Sequence, residues 1–154
     1  MRRVIGKTQT FGSEITPAPA VQVYCYIARI NHGEWVDFLI DTGAGVTCLH
    51  GTYAFDLQDR MRIRTLKDYG GIAGISCSYY HEQAELLFLD DRGQYLSRMV
   101  RLGIQQFTPE HVNDQDILEE CLDCPSLLGC DILNNCLFTY NFKQSEQVVL
   151  TFRR

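Results

Sequence analysis

An all-β domain with one or two short helices is the fold class this sequence predicts. Three observations carry that expectation. Apolar residues alternate over short stretches, as in Val148, Leu150 and Phe152, which is the two-residue period of a strand. Those stretches are separated by turn chemistry such as Asp90-Asp91-Arg92-Gly93. Helical spacing is loose and confined to the acidic region 105–123.

In chain order, residues 1–19 are expected to be a flexible arm, because Thr8 to Ala20 is polar and proline-containing. Val21 to Ile30 reads as a strand, followed by a turn at Asn31-His32-Gly33-Glu34 with the glycine at positive φ. Trp35 to Ile40 returns as a strand that ends at Asp41. Val46 to Leu49 is a short apolar run. Met61 to Asp68 alternates as an exposed strand would, until Gly70-Gly71-Ile72-Ala73-Gly74 interrupts it. Ile75 to Leu89 and Gln94 to Ile104 form two extended segments about the Asp90–Gly93 turn. Residues 105–123 read as an acidic insertion, with Asn113 or Asp114 capping a helix through Ile117, Leu118 and Leu122. Ser126-Leu127-Leu128 runs into Gly129 and a short helix. Leu137 to Phe142 and Gln147 to Phe152 close the chain as strands. Residues 20–154 are expected to form one domain.

Composition narrows the function. The net charge is −5, which gives no general nucleic-acid surface. No apolar window is long enough for a transmembrane helix, and the start lacks the apolar run of a signal peptide. The seven cysteines are odd in number and scattered, unlike a disulfide framework, so a reducing cytoplasm is expected.

The chemistry centres on Asp41-Thr42-Gly43-Ala44-Gly45, directly after the apolar run Phe38-Leu39-Ile40. An aspartate before a glycine is also an ordinary turn, and the triplet alone decides nothing. A carboxylate delivered by a buried strand is costly unless it is paired or hydrogen-bonded. Gly43 lets main-chain N–H groups approach it. The simplest partner for Asp41 is Asp41 of a second copy. Two carboxylates roughly 3 Å apart hold one proton between them, a pair that activates water without a metal or cofactor. Gly70–Gly74 has the make-up of a mobile lid, or of a glycine turn with no role.

Cys121-Leu122-Asp123-Cys124 has the spacing of half a zinc site, but the second half is not paired, so no metal is expected. The four histidines share no spacing, and His50 reads as a surface or loop residue.

In order, Leu39-Ile40-Asp41-Thr42-Gly43-Ala44, Gly70-Gly71-Ile72-Ala73-Gly74 and Leu127-Leu128-Gly129-Cys130-Asp131 resemble the three motifs of the retroviral-type aspartic proteases, the retropepsins. The likeness covers roughly residues 20–104 and 124–152 and looks like that of a freestanding cellular relative. The resemblance implies a closed, mostly antiparallel β-barrel acting as a homodimer on peptide or protein substrates. Asp41 matches the catalytic residue, and Thr42 and Gly43 match the support of the active-site loop. Leu39, Ala44, Gly45, Gly71 and Ile72 match substrate contacts, the last two at the flap tip. Val148, Leu150 and Phe152 fall where such proteins build a sheet shared between subunits. Gly45 and Cys130 depart from the pattern, because the side chains that pair there in retroviral members are missing. A catalytically silent dimeric peptide-binding or assembly module of the same fold is the alternative that this departure favours.

Overall fold

In a computed structural model of the 154-residue chain, the structure describes residues 1–61, 77–143 and 147–153 and the backbone of 67–69. Among the described residues, ten strands alternate with four short α-helices: β1 (Arg2–Gln9), β2 (Ala18–Ile27), β3 (His32–Ile40), β4 (Cys48–Leu49), α1 (Gly51–Phe55), β5 (Lys67–Tyr69), β6 (Cys77–Leu89), β7 (Tyr95–Gln106), α2 (Pro109–Asn113), α3 (Gln115–Asp123), β8 (Ser126–Leu128), α4 (Cys130–Leu133), β9 (Cys136–Asn141) and β10 (Gln147–Phe152). The strands form one sheet in the order β5-β6-β7-β4-β8-β3-β2-β1-β10-β9, and a further pairing of β6 with β2 closes six of them into a ring. The chain is thus mostly β, as expected, with more helices than the one or two anticipated.

The longest hairpin shows why the strands form. Across β6 and β7 the register runs from Ser78↔Gln106 to Leu89↔Tyr95. Its turn is fixed by Asp90, whose carboxylate accepts from the Arg92 amide at 3.0 Å and the Gln94 amide at 2.8 Å. Gly93 supplies the φ of +73° that a side chain would resist. Along β6, Ala84, Leu86 and Phe88 point into the core, where Phe88 meets Phe152 at 5.3 Å between ring centroids. Glu82 is also buried, and the guanidinium of Arg29 donates to it at 2.6 Å through Nε.

Most pairings are antiparallel, but two are parallel and these build the site: β3 with β8, and β4 with β7. Because β3 and β8 run in the same direction, Ile40 and Leu128 lie side by side, and Asp41 and Gly129 leave the sheet together.

Two expectations are corrected. Residues 1–19 are not an arm throughout: Arg2–Gln9 is a strand, with Arg2 to Gly6 paired to β10 and Lys7 to Gln9 paired to β2. Only Val4 of β1 is fully buried, so the pattern is weak while the backbone is paired. The turn after β2 takes its positive φ at Asn31 (+48°), not Gly33. Gly33 is small because the Tyr24 hydroxyl lies where its Cβ would be. Val148, Leu150 and Phe152, expected at a sheet shared between copies, are buried within this chain, where β1 and β9 pair with both edges of β10.

The acidic region 105–123 is tied into the fold rather than appended to it. Gln105 and Gln106 still belong to β7. Asp114 caps α3, accepting from the amides of Asp116 at 3.1 Å and Ile117 at 3.2 Å. Ile117, Leu118 and Leu122 pack on the core beside the buried Cys121. Among the described residues no helix is long and apolar enough to cross a membrane.

Candidate active site

Asp41 sits at the exit of β3 on a turn that is braced mainly from the far end of the sequence. Its own amide donates to the Leu128 carbonyl at 3.1 Å, and the Ala44 amide closes the turn onto the Asp41 carbonyl at 3.2 Å. The Cys130 amide then donates to the Ala44 carbonyl at 2.8 Å. The Cys130 thiol reaches the Thr42 carbonyl at 3.3 Å, across 88 residues of sequence. Gly129 fits because there is no room for anything larger: a Cβ there would stand 2.6 Å from the Val46 carbonyl carbon and 2.9 Å from the Ala44 oxygen.

Beneath the turn lies a buried polar knot. Thr47 is fully buried, its hydroxyl donates to Asp131 Oδ1 at 2.7 Å, and it accepts from the Gly129 amide at 3.1 Å. The Thr47 amide also donates to the Asp131 carboxylate, at 3.1 Å to each oxygen. Asp131 Oδ1 accepts again from the Ile132 amide at the start of α4, at 3.0 Å. A half-buried carboxylate satisfied by this many donors, with its threonine partner fully buried, holds its loops in one arrangement.

A second net anchors β4 behind the turn. His50 lies in the connection between β4 and α1, as a loop residue would, but it is 1% exposed and so belongs to the core rather than the surface. Its Nδ1 lies 2.7 Å from the Pro125 carbonyl, which can only accept, so Nδ1 carries the hydrogen. Nε2 therefore accepts from the Tyr79 hydroxyl at 2.6 Å. The His50 amide donates to Ser126 Oγ at 3.0 Å, and the Gly51 amide to Gln105 Oε1 at 3.0 Å. Burial pushes the His50 pKa down to about 4, against a smaller opposing effect from the Pro125 carbonyl. The same burial pushes the Tyr79 phenol up, so it stays a donor.

The expected site residues divide as follows. The Gly43 amide donates to Asp41 Oδ1 at 2.8 Å, and a Cβ on Gly43 would come within 3.1 Å of that oxygen. Close approach rather than positive φ thus makes the glycine useful. Thr42, Gly43 and Gly45 are exposed, and Asp41 and Ala44 are partly so. Leu39 lies two residues before Asp41, facing outward between the buried Phe38 and Ile40, and lines a cleft of about 810 Å³ with Phe11, Ala18 and Pro125. No heavy atom lies within 4 Å of where a Gly45 Cβ would be. Gly71 and Ile72 lie outside the described residues. All seven cysteines are free thiols, and among the described residues no group of three or more His, Cys, Asp or Glu side chains could hold a metal ion.

Thr47 and the His50–Tyr79 pair were not anticipated. Thr47 follows the motif by two residues in an apolar run, and only its 84-residue link to Asp131 marks it. A scan against protein-family models finds no match to the chain, and a search of curated proteins finds none either.

Proposed function

We propose that this chain is an aspartic endopeptidase of the retropepsin type, which works as a homodimer. The observation that carries the reading is the turn bearing Asp41. It presents a carboxylate with one oxygen held by the Gly43 amide, on a loop locked from beneath by Gly129, Cys130 and the Thr47–Asp131 knot. An isolated Asp-Gly turn needs none of that bracing. A group that must meet its own copy across a two-fold axis needs all of it, because small displacements cost large factors in rate. The ring of six strands is the frame expected of such a protease, and the closed barrel and the dimer belong to this proposal.

In the dimer the two Asp41 carboxylates share one proton. The ionised one takes a proton from water as the water oxygen attacks the peptide carbonyl carbon. The protonated one donates to the carbonyl oxygen. The resulting diol collapses when a proton passes to the amide nitrogen and the C–N bond breaks, giving a carboxylic acid and an amine. The peptide binds extended, with Leu39 and Ala44 on the enzyme side favouring apolar residues near the scissile bond. Free thiols throughout suit a reducing compartment such as the cytoplasm.

The test is incubation of the purified chain with a mixed peptide library from pH 4 to 7, beside Asp41→Asn, with the oligomeric state followed by sedimentation. Wild type should cleave, the variant should not, and specific activity should fall on dilution as dimers separate. Absence of cleavage where the dimer is verified would leave the silent peptide-binding module instead.

A further inference from the structure

At the opposite end of β1 from the site, four arginines surround a hollow that no part of the proposed protease uses. The start of β1 pairs with the end of β10 at Arg2↔Phe152, and the β6–β7 turn docks on it through the Asp91 amide, which donates to the Arg3 carbonyl at 2.8 Å. Between these elements lies a cavity of about 400 Å³ lined by Arg2, Arg92, Arg98 and Arg153, with Gln94 and Asp90. Such a concentration of positive charge is notable on a chain of net charge −5.

Asp90 cannot neutralise the group. Its Oδ2 already accepts from Arg2 Nε at 2.9 Å, and Oδ1 is taken by the Arg92 and Gln94 amides. Among the described residues, Arg92, Arg98 and Arg153 meet no carboxylate. Arg98 instead stacks its guanidinium 5.2 Å from the centre of the Phe152 ring, which fixes the group in place without discharging it. Arg2 Nη2 is buried and has no hydrogen-bond partner. An unmade bond on a buried, charged donor is costly even where the same guanidinium is paired through Nε, and here it sits at a cavity whose other guanidinium groups meet no carboxylate among the described residues.

We propose that this cavity is an oxyanion site that takes a phosphoryl group, with the missing bond of Arg2 Nη2 made to a phosphoryl oxygen. Planar guanidinium forks match phosphate geometry, and several together favour a dianion over a singly charged ion. A second hollow of about 920 Å³ opens beside the first and shares Arg98 and Arg153, giving room for whatever carries the phosphoryl group. That carrier is either nothing, the ligand being free phosphate, or a phosphorylated protein side chain.

The experiment is calorimetric titration of the full chain at constant ionic strength set with chloride. The probes are inorganic phosphate, a phosphoserine peptide and its unphosphorylated twin. The proposal expects saturable binding of one phosphoryl group per chain, weakened at least tenfold in Arg98→Gln/Arg153→Gln. Arg92→Gln, whose exposed side chain holds no other element, should weaken it severalfold with the melting temperature unchanged, which separates lost binding from lost fold. A peptide tenfold or more tighter than inorganic phosphate identifies the protein-borne group, and equal affinity identifies the free ion. No saturable binding of either phosphate probe, equal binding of the unphosphorylated twin, or full affinity in both variants would overturn it. Asp41→Asn should bind unchanged, so the outcome stands apart from the protease reading.

Discussion

The hydroxyl of Thr47 donates to the carboxylate of Asp131 at 2.7 Å, joining residues 84 apart in sequence beneath the turn that carries Asp41. Thr47→Val keeps the shape and removes that bond together with the acceptor for the Gly129 amide. Stability should fall by about 1–3 kcal/mol, the usual cost of leaving buried polar groups unpaired. Urea denaturation measures it, and peptide cleavage should fall further than the fraction unfolded accounts for.

Two glycines near the site should respond in opposite ways. Gly129→Ala drives a methyl into the Val46 and Ala44 backbone and should cost about 1–3 kcal/mol. Gly45→Ala meets open space, so stability should stay within about 0.5 kcal/mol. Thermal unfolding of the pair compares them directly.

Acid should weaken the fold through His50. Above pH 6.5 the ring is neutral folded or unfolded and has no effect on the balance. As pH falls below 6.5 the unfolded chain gains a proton that the folded chain refuses until about pH 4, so stability drops across that window and levels off beneath it. The loss is about 3 kcal/mol at most, from the size of the shift. In His50→Gln, the slope of unfolding free energy against pH between 6.5 and 4 should flatten. Because a shared-proton carboxylate pair works in mild acid, the acidic limit of cleavage should follow this unfolding.

The thiols should react in order of burial. Cys25 and Cys121 are buried, and burial pushes the Cys25 thiol up to about 12, so both should resist iodoacetamide at pH 8 in the folded chain. Cys130 is partly exposed and should be labelled early. Its alkylation removes the bond to the Thr42 carbonyl, and cleavage should decline in step with that peptide's mass shift.

Much of the β framework was legible because local patterns and tertiary needs agree. The Asp90–Gly93 turn needs both an Asx acceptor and a glycine, and both are written in four letters. The α3 cap at Asp114 was legible for the same reason. β1 was hidden because its partners supply the reason for it to be extended, while its own side chains are largely polar or exposed. His50 looked superficial because nothing near it in sequence reports that Tyr79 and Pro125 enclose it. The Asp41 motif was visible as letters, but its bracing by Thr47 and Asp131 depends on the parallel pairing of β3 with β8, which no local pattern encodes.

That pairing also sets an order of events during synthesis. When Asp41 is added to the growing chain, the strand that will steady it is still some eighty-five codons from being read. A nascent chain halted before Ser126 carries its acid on a slack loop and so should have no capacity to cut itself or its neighbours. On the protease reading, competence would arrive only after the segment from Ser126 to Asp131 has been made.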